Sequence, residues 1–269
     1  MQTVLWSIII GTLSMTPPTF ATEIIAHRGA SFDAPENTLA AIKLACLQGA
    51  NAVEVDVRLS KDGKVVLLHD SDTKRTGRVA RKVARQTLEQ LQLQDIGKWG
   101  KWRGKGFSEK IPLLEEAIDS LPDDRRLFIE IKCGAEILPE LGHIFRRCGR
   151  PASQLVIIGF DYKTVKAAKA KFPEVEVNWL VASPGRIKKT ARLQQLVEKA
   201  WSAKLDGLDL GSRFRISPEF VETLHSFDLK VYTWTVDDPV LARRQAASGV
   251  DGITTNRPGW LREQLALRT

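Results

Sequence analysis

After residue 22, short apolar runs alternate with amphipathic stretches along the chain. Eight runs have the length and residue types of buried strands: 24–28 (IIAHR), 53–57 (VEVDV), 127–131 (LFIEI), 155–159 (LVIIG), 175–181 (VEVNWLV), 206–210 (DGLDL), 231–236 (VYTWTV) and 251–255 (DGITT). Between most of them, segments such as ENTLAAIKLACLQG, DYKTVKAAKAKF, ARLQQLVEKAWSAK and DPVLARRQAASG space their apolar residues as a helix face does. Strands that alternate with helices pair in parallel and are buried on both faces, hence their near-continuous apolar character. Eight such units predict an α/β fold, a closed TIM-type (β/α)8 barrel. An open doubly wound sheet is the runner-up; the lack of a G-x-G-x-x-G after the first strand counts against it.

One interval breaks the rhythm. The stretch between Val57 and Leu127 is too long for a single crossover. SKDGK sets an Asp-Gly turn between two β-like runs, so Val65 to Leu68 are expected to fold back as a hairpin. A small insertion, about 60–110, therefore follows the second barrel strand, and IPLLEEAIDSLP resumes the helix leading to the third. At the start, MQTVLWSIIIGTLSMTPPTFATE has an apolar core from Val4 to Met15, two prolines, and small residues before a cut after Ala21. That core is shorter than the roughly 20 residues of a spanning helix. Residues 1–21 are expected to be a signal peptide and 22–269 the mature domain, secreted or periplasmic. No Lys or Arg precedes the apolar core, so an uncleaved anchor or a misread start codon is the alternative.

Composition narrows the partners. With 269 residues, 43% hydrophobic and 27% charged, the chain can bury one large core and is not disordered. A net charge of +8 favours anionic partners: phosphorylated small molecules, acidic lipid surfaces or nucleic acid. Nucleic acid is the weakest of these, since no recognised module is present and the aromatics are not interleaved with a basic stripe. The densest basic run, RVARKVAR (78–85), reads as a solvated helical face or else a contact for an anionic surface. The Trp-rich GKWGKWRGKGF (97–107) would suit a membrane surface. Cys46, Cys133 and Cys148 lack metal-site spacing and read as small buried hydrophobes, with a Cys133–Cys148 disulfide as an option in an oxidising compartment.

The candidate chemistry lies in acids placed where burial is costly. Glu54 and Asp56 share one face of their strand, opposite Val53, Val55 and Val57. Glu130 lies near the end of the next barrel strand, and strand ends converge on one rim. Unpaired buried carboxylates are unfavourable. Two resolutions stand open: a hard divalent cation, Ca2+ or Mg2+, or ion pairs with Arg28, Arg58 or Lys132. His27 and His69 each end a strand near these acids, where imidazoles can move protons near neutral pH. His143 and His225 fall in helical patterns and are expected at the surface. Arg28 and Lys132 suit phosphate oxygens, or internal salt bridges. Gly29 marks a close backbone approach to a ligand or a strand-ending turn. In PENT (35–38), Asn37 is a candidate helix cap, and Glu36 supports the helix dipole or faces the site. Trp234 shares a face with Tyr232 and Val236, as a substrate wall or as core.

HRG followed by PENT, then EVDVRLSKDGKVVLLHD, FIEIK, YTWTVDD and GVDGITTNRP, resembles the glycerophosphodiester phosphodiesterases, in order, over roughly residues 24–260. DIGKW and KIPLLEEAI are similar to further segments of that family. The resemblance implies a TIM-type barrel with an insertion after its second strand, and hydrolysis of a glycerophosphodiester to glycerol 3-phosphate and an alcohol. It implies that Glu54, Asp56 and Glu130 hold Ca2+ or Mg2+, that His27 and His69 are the general acid and base, and that Arg28 and Lys132 contact phosphate. Glu36 and Asn37 would lie near metal and substrate, with Trp234 lining the pocket. Departures are Thr73 for a usual Leu, Gly77 for a usual Thr, IGF where serine-rich variants are common, and TNRP where TDRP is usual. Two other readings remain beside the phosphodiesterase: a phospholipase-type enzyme acting on lysolipid or phospholipid at a membrane surface, and a non-catalytic binding relative.

Overall fold

The computed structural model describes residues 22–183 and 189–266. Among the described residues nine strands form one sheet: β1 (Glu23–Ala26), β2 (Ala52–Leu59), β3 (Val65–Leu67), β4 (Arg126–Ile131), β5 (Leu155–Gly159), β6 (Glu176–Val181), β7 (Gly207–Gly211), β8 (Lys230–Trp234) and β9 (Gly252–Thr255). All but β3 are parallel, and pairing of β1 with both β9 and β2 closes the ring. The eight expected barrel strands are all present. The seventh stops at Trp234 instead of continuing to 236, and Val236 packs in the outer core.

Strand alternation sorts the side chains. Leu127, Ile129, Leu155, Ile157, Leu208 and Leu210 belong to the continuous core between barrel and helices. Ile25, Ala52, Phe128, Val156, Ile158, Leu180 and Tyr232 fill the lumen. Phe128 and Tyr232 meet edge to face with centroids 5.2 Å apart. Gly252 makes room for them, since a Cβ there would come within 2.7 Å of the Tyr232 ring.

One end of the lumen is closed by charge. Arg126 Nη1 lies 2.8 Å from Glu23 and its Nη2 2.7 Å from Glu176, while Lys230 Nζ lies 2.6 Å from Glu176. The Tyr232 hydroxyl donates to Glu176 Oε1 at 2.8 Å. These four charged residues open β1, β4, β6 and β8, so they form the floor, and the strand C-termini form the mouth.

The insertion begins as expected. β3 pairs antiparallel with β2 across a turn in which Gly63 has φ +75° and Ser60 N donates to Lys64 O. Val66, Leu68, Val83, Leu91, Ile96 and Ile111 build its own small core. The basic run 78–85 is not a helical face. Hydrogen bonds from Thr73 N to Arg81 O and from Val83 N to Ser71 O tie it back on the preceding turn, and only Val83–Arg85 coils, as a 3-10 turn. The departures Thr73 and Gly77 fall here; Thr73 is buried and its hydroxyl donates to Val79 O, a polar tie that a Leu could not make.

The three cysteines are free and half-buried, packed on the outer core. The Cys133–Cys148 disulfide is absent because the helix Leu138–Arg147, ten residues or roughly 15 Å long, lies between them. His143 and His225 are exposed on helices. The proposed leader, 1–21, lies outside the described residues. Among those described, no helix is long and apolar enough to cross a membrane.

Candidate active site

β1 delivers His27 to the mouth, and the chain then turns sharply. Arg28 has φ +55° and Gly29 φ +78°. A Cβ on Gly29 would lie 2.5 Å from the Ala41 backbone, so the packing of helix Leu39–Leu47 on the loop by itself requires glycine. The cap of that helix is Thr38, whose hydroxyl accepts from Ala41 N at 3.1 Å. Asn37 is therefore not the cap. It is buried with φ +55°, and its amide is spent on Asp56: Nδ2 donates to Asp56 Oδ2 at 2.8 Å, and Oδ1 accepts from Asp56 N at 3.0 Å. Two non-glycine residues in the left-handed region, side by side with the acids, are strain of the kind that gathers at functional sites.

β2 points Glu54 and Asp56 into the mouth and β4 adds Glu130. One oxygen of each lies within 4.8 Å of the others, and all three are buried. Arg28 N donates to Glu54 Oε2 at 2.8 Å, and its Nε lies 3.1 Å from Asp56 Oδ2. Lys132 Nζ is 2.7 Å from Glu130 Oε1 and 3.6 Å from Asp56 Oδ1. Arg58, the third candidate partner, pairs with none of them. It donates to the carbonyl oxygens of His69 and Lys132, tying the hairpin to the end of β4.

Ion pairing thus answers only part of the charge. Three acids face two cations, and the buried Glu54 Oε1 and Asp56 Oδ1 have no hydrogen-bond partner. Burial, then Asp56 and Glu130, push the Glu54 carboxyl well above its ordinary range. Burial, then Asp56, lift Glu130 to about 7 against the pull of Lys132. Asp56 stays below its ordinary value because Arg28, His69 and Lys132 together outweigh burial. Orphaned, mutually repelling carboxylate oxygens fit a hard divalent cation, which takes oxygen ligands and cancels their charge.

The β2–β3 hairpin brings His69 back beside Asp56, with Leu68 N bonded to Asp56 O at 3.0 Å. His69 Nδ1 lies 2.8 Å from Asp70 Oδ1, and Arg75 Nε lies 2.6 Å from Asp70 Oδ2. Burial would raise Asp70, but the bonds from Arg75 and His69 prevail and hold it at about 2. An ionised carboxylate only accepts, so His69 carries its hydrogen on Nδ1 and leaves Nε2 free. Arg75 also grips Glu36 at 2.7 and 2.9 Å, and Arg28 Nη1 reaches Glu36 at 2.9 Å. Glu36 accordingly faces the site and joins two guanidinium groups. The Arg75 guanidinium lies over the Trp99 ring, 4.8 Å from its centroid.

His27 Nδ1 lies 2.7 Å from Asn256 Oδ1. Burial, then Arg28, pull this imidazole down to about 4. Both imidazoles feel Asp56 and Arg28, so they stand at the same mouth. Trp234 caps the lumen cluster, donates from Nε1 to Asp209 O at 3.2 Å, and meets the exposed Phe160 edge-on at 5.3 Å. A cleft of about 640 Å3 opens beside these groups, lined by His69, Asp70, Arg75 and Lys132 among others.

Sequence reasoning missed five residues that the fold brings here. Asp209 shows the signal that marked Glu54: an acid between Leu208 and Leu210 on an inward strand position. It is buried, its Oδ1 lacks a partner, and burial, then Glu130, push its carboxyl well above the ordinary range. Asp70 was visible as the neighbour of His69. Phe160 stood in the departing IGF segment. Arg75 lies five positions beyond Asp70 and Asn256 stood in the departing TNRP segment, but nothing in the sequence tied either to the two histidines.

The model of the glycerophosphoryl diester phosphodiesterase family matches residues 27–260. The chain is 33% identical to a glycerophosphodiester phosphodiesterase of Caldanaerobacter subterraneus, over 88% of this chain and 95% of that one. It is 31% identical to a putative glycerophosphodiester phosphodiesterase of Bacillus subtilis, over 88% and 96%. Among solved structures, an Oleispira antarctica phosphodiesterase in complex with the product sn-glycerol-3-phosphate superposes with a TM-score of 0.78 at 29% identity, over 93% of this chain and 98% of that one. A family match over most of the chain, on a closed barrel whose mouth gathers the acids and both histidines, places this protein in the glycerophosphoryl diester phosphodiesterase family.

Proposed function

We propose that this protein hydrolyses glycerophosphodiesters to glycerol 3-phosphate and an alcohol in a reaction that depends on a divalent cation. The observation that carries this reading is the triad Glu54, Asp56 and Glu130, buried with orphaned oxygens beside two imidazoles. The family match and the relatives' names support it. Glu54, Asp56 and Glu130 would hold Ca2+ or Mg2+, which when bound supplies positive charge for the phosphate oxygens. Arg28 and Lys132 add their own cations to the same oxygens. His27 and His69 serve as the acid–base pair, one taking the proton of the attacking hydroxyl, the other returning one to the leaving oxygen. Asn37 holds Asp56 in place, Glu36 sets the Arg28 guanidinium, and Trp234 with Phe160 forms the apolar side of the pocket.

The test is release of glycerol 3-phosphate from glycerophosphocholine by the purified protein, with cation and with EDTA. Release that EDTA abolishes is the expected result. No release with cation present would overturn the reading in favour of a binding relative.

One observation favours a second reading, action at a lipid surface. Phe32 is 47% exposed, with Lys101 Nζ 4.4 Å and Arg257 Cζ 4.3 Å from its ring centroid, an aromatic ringed by cations. Faster turnover of micellar lysolipid than of the water-soluble diester would establish it. Export with removal of 1–21 belongs to the same proposal, and the amino-terminal sequence of the mature protein tests it.

A further inference from the structure

His27 and His69 have different partners at the same ring nitrogen. His69 Nδ1 faces the carboxylate of Asp70, whereas His27 Nδ1 faces the amide of Asn256, at the TNRP position where the resemblance leads one to expect an acid. The Asn256 amide is held from three sides. Its Oδ1 accepts from Ser31 Oγ at 2.9 Å as well as facing His27. Its Nδ2 donates to Asp237 Oδ2 at 2.6 Å. Asp237 is in turn fixed through Oδ1, which accepts from Asn256 N and from Thr255 Oγ1, each at 2.8 Å. Turning the amide over would set its oxygen against the Asp237 carboxylate, two acceptors with no hydrogen between them. The oxygen therefore stays on His27, and an acceptor there requires a hydrogen on Nδ1.

We propose that Asn256, oriented by Asp237, is a positioning residue that locks His27 in its Nδ1–H tautomer and keeps Nε2 as the unprotonated nitrogen that meets the substrate. A carboxylate at this place would fix the same tautomer but would also stabilise the imidazolium, as Asp70 does for His69. An amide fixes the tautomer without lending charge. The other charged groups felt by His27 divide: Arg28 disfavours the imidazolium, while Asp56 and Glu36 favour it. His27 is thus built as an acceptor. When a hydroxyl gives its proton to Nε2, Nδ1 keeps its hydrogen, still donated to Asn256 Oδ1, and the ring does not rotate.

The proposal rests on the reading that His27 acts on the substrate, and its test separates the two. Long-range proton–nitrogen spectra of the full chain labelled with 15N-histidine report the tautomer directly, whether or not the protein turns over. The wild type is expected to carry the His27 hydrogen on Nδ1 near neutral pH. Asn256→Leu should populate the Nε2–H form and lower kcat by up to about a hundredfold, with KM within about threefold. Asp237→Asn, which frees the amide to turn over, should populate the same form with a smaller loss. A wild-type hydrogen on Nε2 would overturn the proposal, as would Asn256→Leu with tautomer and kcat unchanged. Absent turnover in a wild type that shows the Nδ1–H tautomer would instead refute the phosphodiesterase reading alone.

Discussion

The two ends of the barrel bury the same kinds of side chain in opposite electrostatic states. At the floor, Glu23 and Glu176 face Arg126 and Lys230, two charges against two. Both Glu176 oxygens accept hydrogen bonds, and Arg126 and Lys230 outweigh burial to hold its carboxyl below the ordinary range. Of the two floor carboxyls, only Glu23, at the edge of the network, is lifted by burial. At the mouth, the triad sets three acids against two cations, Glu54 Oε1 and Asp56 Oδ1 are orphaned, and Glu54 and Glu130 are both pushed upward. A buried acid by itself therefore marks nothing. What separates a site from a structural plug here is leftover negative charge on carboxylate oxygens without a partner, since among the described residues of the floor only Arg126 Nε and Asn178 Oδ1 are left unpaired.

The largest effects should come from emptying the mouth of its proton carriers. His27→Ala and His69→Ala are each expected to lower turnover by about 10² to 10⁴, with the melting temperature little changed because neither imidazole anchors the core. Steady-state kinetics on the folded variants checks this, and unchanged turnover in either would remove that histidine from the reaction. The floor should respond the other way. Arg126→Met leaves Glu23 and Glu176 buried without their shared partner, a loss of about 3 to 5 kcal/mol for breaking a buried pair. Urea unfolding should report that loss, while kcat per folded molecule stays at the wild-type level. A loss of less than about 1 kcal/mol would erase the distinction between the two ends, since surface pairs already reach that size.

Much of this contrast was legible in the sequence, but only where it is local. The alternation of apolar runs with helical patterns located all eight barrel strands, because parallel strands buried on both faces have few other ways to read. Glu54, Asp56 and Glu130 stood out as charges inside such runs. His27 and His69 stood out as strand-end imidazoles. What stayed hidden depends on which distant segments meet. Nothing near residue 256 shows that it touches residue 27, 229 positions away. Nothing in the sequence assigns Arg58 to carbonyl oxygens instead of acids. Asn37 misled for a different reason: it is a good cap type, but the helix starts one residue later, and its left-handed backbone turns the amide toward Asp56. Asp209 and the floor acid Glu176 were overlooked although they carry the inward-acid signal, which shows that the signal finds both kinds of buried acid and cannot tell them apart.

Cation binding sharpens the comparison at intermediate size. Glu130 has its carboxyl raised from the unfolded value of 4.5 to about 7. A group raised on folding contributes stability that is fully present below its unfolded value, and loses it as pH climbs through the folded one. The cation-free mouth should thus cost most above pH 7 and least below pH 4.5. Ca2+ or Mg2+ added in excess is expected to raise the melting temperature clearly at pH 8 and only slightly at pH 5, where it must displace protons. At a hundredfold excess over its dissociation constant the stabilisation would be about 2.7 kcal/mol. Scanning calorimetry at the two pH values checks this. An equal shift at both would separate the cation from Glu130.

The smallest expected effect tests whether the floor has a hierarchy. Lys230 is 45% exposed in its side chain, against 22% for Arg126, and both reach Glu176 Oε2. Removing Lys230 as Lys230→Met leaves Glu176 with Arg126, the Tyr232 hydroxyl and the Asn178 amide. No buried charge is orphaned, so only a solvated pair is lost, worth about 0.2 to 1 kcal/mol and reduced further by salt. Urea unfolding at low and high ionic strength should find that small loss shrinking with salt, and turnover unaltered. If Lys230→Met instead cost as much as Arg126→Met, the floor would be balanced as narrowly as the mouth, each charge indispensable. Its silence as a site would then follow from burial away from the cleft, not from satisfied partners.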